Sequence, residues 1–253
     1  MKISVISGAA SGMGREFVLA VDKEYELDEI WVIDRNKDRL ETLKPECRTP
    51  LRVLAWDLTD QSHFEEYRKL LEEEKPEIAL LINDAGYGIF GDFENMDLGD
   101  VLGMADVNDK ALTAFCLLSL PYMKEGDSII NMGSNSSWQP VPYQAVYGAS
   151  KAYVLSFSRA IGRELKKRGV HVMCVCPGWI KTDFQERAKH DEVIKYVDRW
   201  YTAKEVIDQA MKDLKKKKTV SILGAPVRRQ VRLVKHLPVD MIMNIWCKQQ
   251  GKE

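Results

Sequence analysis

Short apolar runs alternate along this chain with longer stretches whose apolar residues recur every three or four positions, the signature of strands interleaved with amphipathic helices. The pattern predicts strands over Lys2–Ser7, Ile30–Ile33, Leu51–Trp56, Ile78–Ile82, Ser128–Met132, Val170–Cys176 and Thr219–Leu223. Between them it predicts helices from Gly14 to about Val21 and over Asn36–Leu43, Ser62–Glu74, Met104–Met123, Tyr147–Arg168 and Ala203–Lys216. Strands separated by helices of this length pair in parallel through right-handed crossovers, with both faces of the sheet covered. The expected fold class is therefore α/β, a doubly wound parallel sheet of about seven strands. No Pro/Gly/Ser-rich linker or internal repeat divides the chain, so one domain over 1–253 is expected. In such sheets ligands bind beyond the carboxyl ends of the strands, so the loops after each strand hold the chemistry.

Composition narrows the function classes. Hydrophobic residues make up 45% and charged residues 30% of the 253, which is globular usage and excludes a disordered chain. A formal charge of −1 excludes a uniformly basic nucleic-acid binder. No apolar run approaches the ~20 residues of a membrane span. Met1 to Ile6 runs straight into the first strand and leaves no room for a signal peptide, so a cytoplasmic protein is expected. The five cysteines are an odd number, and Cys174 and Cys176 share a strand face without a zinc site's spacing. They read as buried, reduced thiols. The four histidines are scattered, and no metal is expected.

The small net charge hides an asymmetry. Residues 204–253 carry twelve basic and five acidic side chains, a net of +7, against −8 for the remainder. Val227 to Lys235 predicts a basic helix, and Pro238 separates it from the apolar run Val239 to Trp246. This 227–253 extension has two readings. It attaches peripherally to anionic lipid, or it packs against a partner subunit or over the active-site cleft. The shortness of its apolar stretches favours the second.

After the first strand comes Gly8-Ala9-Ala10-Ser11-Gly12-Met13-Gly14, which opens a helix. A tight turn, a backbone free of Cβ atoms and a helix N-terminus are what a dinucleotide's pyrophosphate requires, so the sheet reads as Rossmann-like. Asp34 ends the second strand about 20 residues further on, where a carboxylate accepts bonds from the adenosine ribose hydroxyls. It repels a 2′-phosphate and so favours NAD(H). Arg35 beside it can pair with that phosphate and leaves NADP(H) open.

These residues resemble the short-chain dehydrogenase/reductase family, nearly to Leu223. Ser7-Gly8-Ala9-Ala10-Ser11-Gly12-Met13-Gly14 is similar to the family's T-G-x-x-x-G-x-G, with serine for threonine. Tyr147-Gly148-Ala149-Ser150-Lys151 is its Y-x-x-x-K, with Ser134 at the usual gap of thirteen and Asn108 in the fourth catalytic place. The resemblance puts Asp57 and Leu58 by the adenine. It makes Asn83-Asp84-Ala85-Gly86 the family's N-N-A-G turn, with aspartate in the second place, stabilising the sheet and bordering the cofactor. Pro177, Gly178, Ile180 and Thr182 fall by the nicotinamide carboxamide. Lys151 gains a second role on the nicotinamide ribose, and Asn108 a proton-relaying water. Homodimers or homotetramers pairing through helices 104–123 and 147–168 are implied.

The chemistry explains these residue types. A free tyrosine titrates near 10 and is a poor base at neutrality. Lys151, one turn on, puts an ammonium on the same face, and that charge, together with the positive nicotinamide ring, is expected to lower that value. Tyr147 then serves as acid or base, and the Ser134 hydroxyl holds the substrate oxygen. Tyr143 is a rival acid without a lysine four residues on, and Ser136 and Ser137 rival Ser134 at the wrong gap. Substrate loops supply Asn135, Trp138, Gln139, Val141 and Tyr143, then Tyr87, Ile89 and Phe90, then Phe184, Val193, Tyr196, Trp200 and Tyr201 in the stretch from Asp183. They point to an apolar or ring-bearing secondary alcohol or carbonyl, a hydroxysteroid included. The rival readings are a catalytically silent nucleotide sensor or scaffold, and reduction of a carbon–carbon double bond or epimerisation on the same fold.

Overall fold

The computed structural model describes residues 1–182, 184, 188, 195, 197 and 199–252. Its central sheet is built from β1 (Lys2–Ser7), β2 (Glu29–Ile33), β3 (Leu51–Leu54), β4 (Glu77–Asn83), β5 (Ser128–Met132), β6 (His171–Val175) and β9 (Val220–Ser221). The strand order is β3-β2-β1-β4-β5-β6-β9, and all neighbours are parallel. The expected doubly wound sheet is present, with its order reversing beside β1, where ligands bind in such folds.

Successive residues of each strand point to opposite faces, so near-continuous apolar runs feed two cores. Ile6, Val32, Ile82, Ile130 and Met173 pack on one face against α1 (Gly12–Glu24) and α7 (Ala203–Lys215). Val5, Trp31, Leu81, Ile129 and Val172 pack on the other against α3 (Ser62–Glu74), α5 (Leu112–Ser119) and α6 (Ala145–Glu164). Tyr67 and Phe115 anchor the second core with ring centroids 4.7 Å apart. Fully burying side chains of this kind contributes about 1.5–3 kcal/mol each.

The predicted helix over Met104–Met123 is longer and less regular than its pattern. It begins as α4 (Leu98–Ala105), passes through a π-helical stretch at Asp106–Ala111, continues as α5 and ends in a 3₁₀ turn at Leu120–Tyr122. Asp97 caps it by accepting the Asp100 N–H at 3.1 Å, but Leu98 and Leu102 face outward and carry no buried period. The small helix at the β2 exit, α2 (Lys37–Glu41), is shorter than expected. Two strands were not foreseen: β7 (Trp179–Lys181) and β8 (Trp200–Thr202) form a separate parallel pair. Three residues are too few to show alternation.

The tail forms α8 (Ala225–Val234) and α9 (Val239–Gln249), with Pro238 at the break. It folds back over the loop after β5. The Trp246 indole donates to Pro142 O at 2.9 Å, and Lys252 Nζ stands 4.7 Å from the Tyr143 ring centroid. Among the described residues no helix is long and apolar enough to cross a membrane, and no group of His, Cys, Asp and Glu gathers to hold a metal.

Candidate active site

A cleft of about 960 Å³ runs along the carboxyl ends of β1, β2, β4 and β5. At its centre the glycine turn is dictated by close approach. Gly8 has φ +72°, and a Cβ there would lie 2.7 Å from Ala85 N. A Cβ on Gly14 would lie 2.1 Å from Gly8 O, so the helix can start this close to the strand only with glycine. Ser11, at the N-cap of α1, makes no side-chain cap bond, and the first turn holds no acidic residue. The Gly14 N–H in that first turn is taken by the buried Asp84 carboxyl, and the amides ahead of it face the cleft at a helix N-terminus, the arrangement a pyrophosphate fits. Ser11, Gly12 and Met13 line the cleft, whereas Gly14 acts from behind by packing.

One end of the cleft is polar. Asp34 Oδ1 accepts the Asn36 N–H at 3.0 Å, and Oδ2 accepts the Ala10 N–H at 3.4 Å, which ties the carboxylate to the glycine turn. Arg35, Asp57 and Leu58 line the same end. Asp57 is held below the usual carboxylate range, chiefly by the Thr59 N–H at 3.0 Å, with help from the Thr59 hydroxyl and the Arg35 charge. Arg39 also lines this end and was not singled out from the sequence. Its signal was a cation one helical turn beyond Asn36, which caps α2 by accepting the Arg39 N–H at 3.0 Å.

The other end brings together the tyrosine, serine and lysine of the motif. Tyr147 and Lys151 stand one turn apart on α6, and the Tyr147 hydroxyl shares a hydrogen bond with the Ser134 side chain. Ser134 leaves β5 as the cap of a 3₁₀ turn at Asn135–Trp138. Its Oγ accepts the Ser136 N–H at 3.2 Å, and its own N–H donates to Ser137 Oγ at 3.0 Å. The rival serines thus serve the turn that presents Ser134. Lys151, 5% exposed, donates to Met132 O at 2.9 Å.

The protein's own groups, before any nicotinamide charge is added, push the Tyr147 pKa upward. Burial pushes it up to about 12, against a smaller opposing effect of the Ser134 bond. Lys151 Nζ lies 5.8 Å from the tyrosine ring centroid and is turned to Met132 O. Burial lowers the lysine's own pKa, and the carboxylates of Asp84 and Asp109 oppose that shift. These two acids are a finding the motifs did not supply. Burial raises Asp84 to about 7 and Asp109 to about 6, with Lys151 holding both down. The only trace in the sequence was aspartate in the second place of Asn83-Asp84-Ala85-Gly86.

Asn108 lies in the π-helical stretch, a distortion that often marks functional positions. Its amide nitrogen donates to Tyr87 O at 2.9 Å and Ser150 Oγ at 3.0 Å, and its Oδ1 accepts the Tyr87 N–H at 3.0 Å. With both amide hydrogens spent, it braces the loop after β4 against α6. A Cβ on Gly86 would sit 2.9 Å from Asn108 Oδ1 and 3.3 Å from Lys151 Nζ, so glycine lets that loop close on the pair. Ala85 and Gly86 line the cleft, but Asn83 does not. Its side chain is buried between strands and donates to Asn131 Oδ1 at 2.8 Å, which stabilises the sheet.

Pro177, Gly178, Ile180 and Thr182 line the cleft opposite the tyrosine. Beyond them the walls turn apolar. Phe90 and Phe184 stand 5.5 and 5.6 Å from the Tyr147 ring, centroid to centroid, and Val141 completes that side. Leu233, Leu237, Ile242, Ile245 and Trp246 roof it, so the tail packs over the cleft. Tyr87, Asn135 and Gln139 also line it, and so does Gln144, whose Nε2 is buried without a hydrogen-bond acceptor. Tyr143 does not line it, being held at φ +64° beside Lys252, which removes it as a rival acid. Trp138 faces a different cavity, while Trp200 packs on Trp179 and Tyr201 joins the core. Ile89 is buried beside the cleft without lining it. Asp183, Val193 and Tyr196 lie outside the described residues.

Comparison with known proteins places these features in a family context. Residues 2–193 match the family described as short chain dehydrogenase. An uncharacterized oxidoreductase of Staphylococcus epidermidis is 30% identical over 196 residues, covering 74% of this chain and 84% of that protein. A short-chain dehydrogenase from Sphingobium yanoikuyae, solved with NADPH, superposes with a TM-score of 0.80 at 24% identity, over 94% of this chain and 97% of that one. Another from Burkholderia phymatum, solved with NAD, gives 0.79 at 20% identity, over 92% of each. The tail helices lie beyond the residues that match the family.

Proposed function

The chain belongs to the short-chain dehydrogenase family of oxidoreductases, and from that premise we propose that it transfers a hydride between NAD(H) and a secondary alcohol or its carbonyl, with Tyr147 as the acid/base. The observation that carries this reading is the meeting of Ser134, Tyr147 and Lys151 on one wall of a cleft whose centre is the N-terminus of α1. A nicotinamide cofactor supplies or accepts the hydride at the carbon bearing the oxygen. The protein's part is the proton. Ser134 holds the substrate oxygen, and Tyr147 gives that oxygen a proton on reduction and takes one on oxidation. A phenol pushed up to about 12 stays protonated at neutral pH, which is the form reduction needs. Oxidation needs that value drawn down by positive charge, and Lys151 is the cation within reach. Asp84 and Asp109 oppose the lowering that burial imposes on Lys151. Asn108 acts as a positioning residue for the loop that borders both.

Asp34 favours NAD(H), because its carboxylate stands at the polar end where ribose hydroxyls would bond and a 2′-phosphate would be repelled. Arg35 and Arg39 at the same end favour a second reading, NADP(H). The phenylalanines and the tail roof suit an apolar or ring-bearing substrate, a hydroxysteroid among them. We take residues 1–253 as one catalytic domain whose 227–253 extension covers its own cleft. Exposed Leu98, Leu102 and Leu117 on the α4–α5 helix and Tyr153 on α6 favour pairing with a second copy, as a homodimer or homotetramer. Buried free thiols at Cys116, Cys174 and Cys176 favour a reducing, cytoplasmic setting. The test is turnover of a panel of bulky ketones and their alcohols with NADH/NAD or NADPH/NADP. Activity stronger with NADH is expected. Tight cofactor binding with no turnover on any compound would instead favour the silent sensor.

A further inference from the structure

A second cavity, of about 470 Å³, lies on the far side of α8 and shares no lining residue with the first. Its walls carry five cations, namely Arg159 from α6, Lys218 from the loop before β9, and Arg228, Arg232 and Lys235 from the tail. The last three follow helical spacing, so they form one stripe of α8, while Gln230, Leu233 and Val234 on the next stripe line the active-site cleft.

These charges are poorly balanced. Among the described residues the one carboxylate in the wall, Asp213, is paired with Lys218 at 2.7 Å and also accepts the Ser221 hydroxyl at 2.9 Å. Arg228 donates to Ile222 O at 3.0 Å, and a neutral carbonyl leaves its charge uncompensated. Arg159 and Lys235 both lie against the Trp138 ring, 4.6 and 4.1 Å from its centroid. That contact offsets their repulsion only in part. The Trp138 indole N–H is shut off from water and has no acceptor among the described residues, an omission that is costly unless a ligand supplies one. Three guanidinium forks, two ammonium groups and an unmet N–H in a concave wall call for a compact anion with several oxygens. A concavity of this size suits such a group better than an extended acidic chain.

We propose that this cavity binds a phosphate-bearing anion, a phosphomonoester or diphosphate group carried by a soluble metabolite or by a lipid headgroup, and that its occupancy is felt in the active site. Two links connect them. Trp138 ends the 3₁₀ turn that Ser134 caps, and α8 is at once a wall of the cation cavity and a roof of the cleft.

The experiment is calorimetric titration of the full chain with inorganic pyrophosphate in saturating NAD, beside flotation with phosphatidylcholine vesicles that do or do not contain a phosphoinositide. Pyrophosphate is expected to bind at one site, and Arg232→Glu to weaken it at least tenfold while turnover without anion stays unchanged. Arg35→Ala, at the cofactor end, is expected to leave pyrophosphate binding intact. Vesicle binding that needs the phosphoinositide and is lost in Arg232→Glu assigns the lipid source, and pyrophosphate binding without it assigns the soluble one. Absence of both in the parent protein, or affinities unchanged by Arg232→Glu, would overturn the proposal. A shift of substrate KM by pyrophosphate in the parent, absent in Arg232→Glu, reads the coupling. Because binding is measured by heat and flotation, a failure of the dehydrogenase assignment leaves this result readable.

Discussion

The centre of the cleft and its apolar end are built by different means. At the glycine turn the backbone does the recognising, through a left-handed Gly8, a Gly14 pressed on Gly8 O and a helix start that Ser11 leaves without a side-chain cap. At the apolar end side chains do it, drawn from segments as far apart as Phe90, Val141, Phe184 and Trp246. Backbone recognition tolerates little change and is written in consecutive residues. Side-chain recognition is assembled by the fold and can be altered piece by piece.

The largest effect that would test this contrast is Gly14→Ala. Its new Cβ meets a backbone oxygen that cannot step aside, so NADH binding should weaken by roughly a hundredfold, about 2.7 kcal/mol. Titration of NADH fluorescence reads it, and near-normal affinity would mean the turn is not a backbone-defined site. Trp246→Ala removes the latch to Pro142 O and part of the roof. Substrate KM should rise about tenfold, or about 1.4 kcal/mol, while NADH affinity holds. An equal loss of both would erase the distinction between the two regions.

The smallest change expected is Asp84→Asn, where the two regions meet. Burial raises the Asp84 carboxyl to about 7 in the folded chain, whereas an unfolded aspartate titrates near 4. As pH rises from about 4 through about 7 the unfolded chain therefore loses its proton first, and the parent protein loses stability across that window. The asparagine variant should escape this loss, with a melting temperature above the parent's at pH 8 and close to it at pH 4. Its activity profile between pH 6 and 8 should also flatten, because the charge that Asp84 gains near pH 7 no longer appears beside Lys151, leaving only that of Asp109 near pH 6. Parallel pH profiles for the two proteins would remove Asp84 from the lysine's environment.

How much could be read from the sequence follows the same division. Lys2–Ser7, Ser62–Glu74 and Ser128–Met132 are found at their expected bounds, because buried runs and strong helical periods are local signals. The glycine turn, Asp34, and the Ser134, Tyr147 and Lys151 set lie where local spacing put them. Arg39 escaped because α2 is too short to announce which of its residues turns inward. Asn83, in a turn expected to stabilise the sheet and border the cofactor, is seen in the first of those roles, bridging strands to Asn131. The acid pair around Lys151, and the upward push of burial on Tyr147, depend on packing that no spacing encodes. The tail's place over the cleft rests on Trp246 reaching Pro142, a contact across 104 residues.

The most direct test of the account is turnover by Tyr147→Phe, with any bulky ketone or alcohol the parent accepts, followed by NADH absorbance. The account predicts no detectable turnover while NADH binds as tightly as in the parent protein, because the phenylalanine keeps the ring beside Phe90 and Phe184 and lacks only the proton. A variant that still turns over substrate at a rate near the parent's would contradict it.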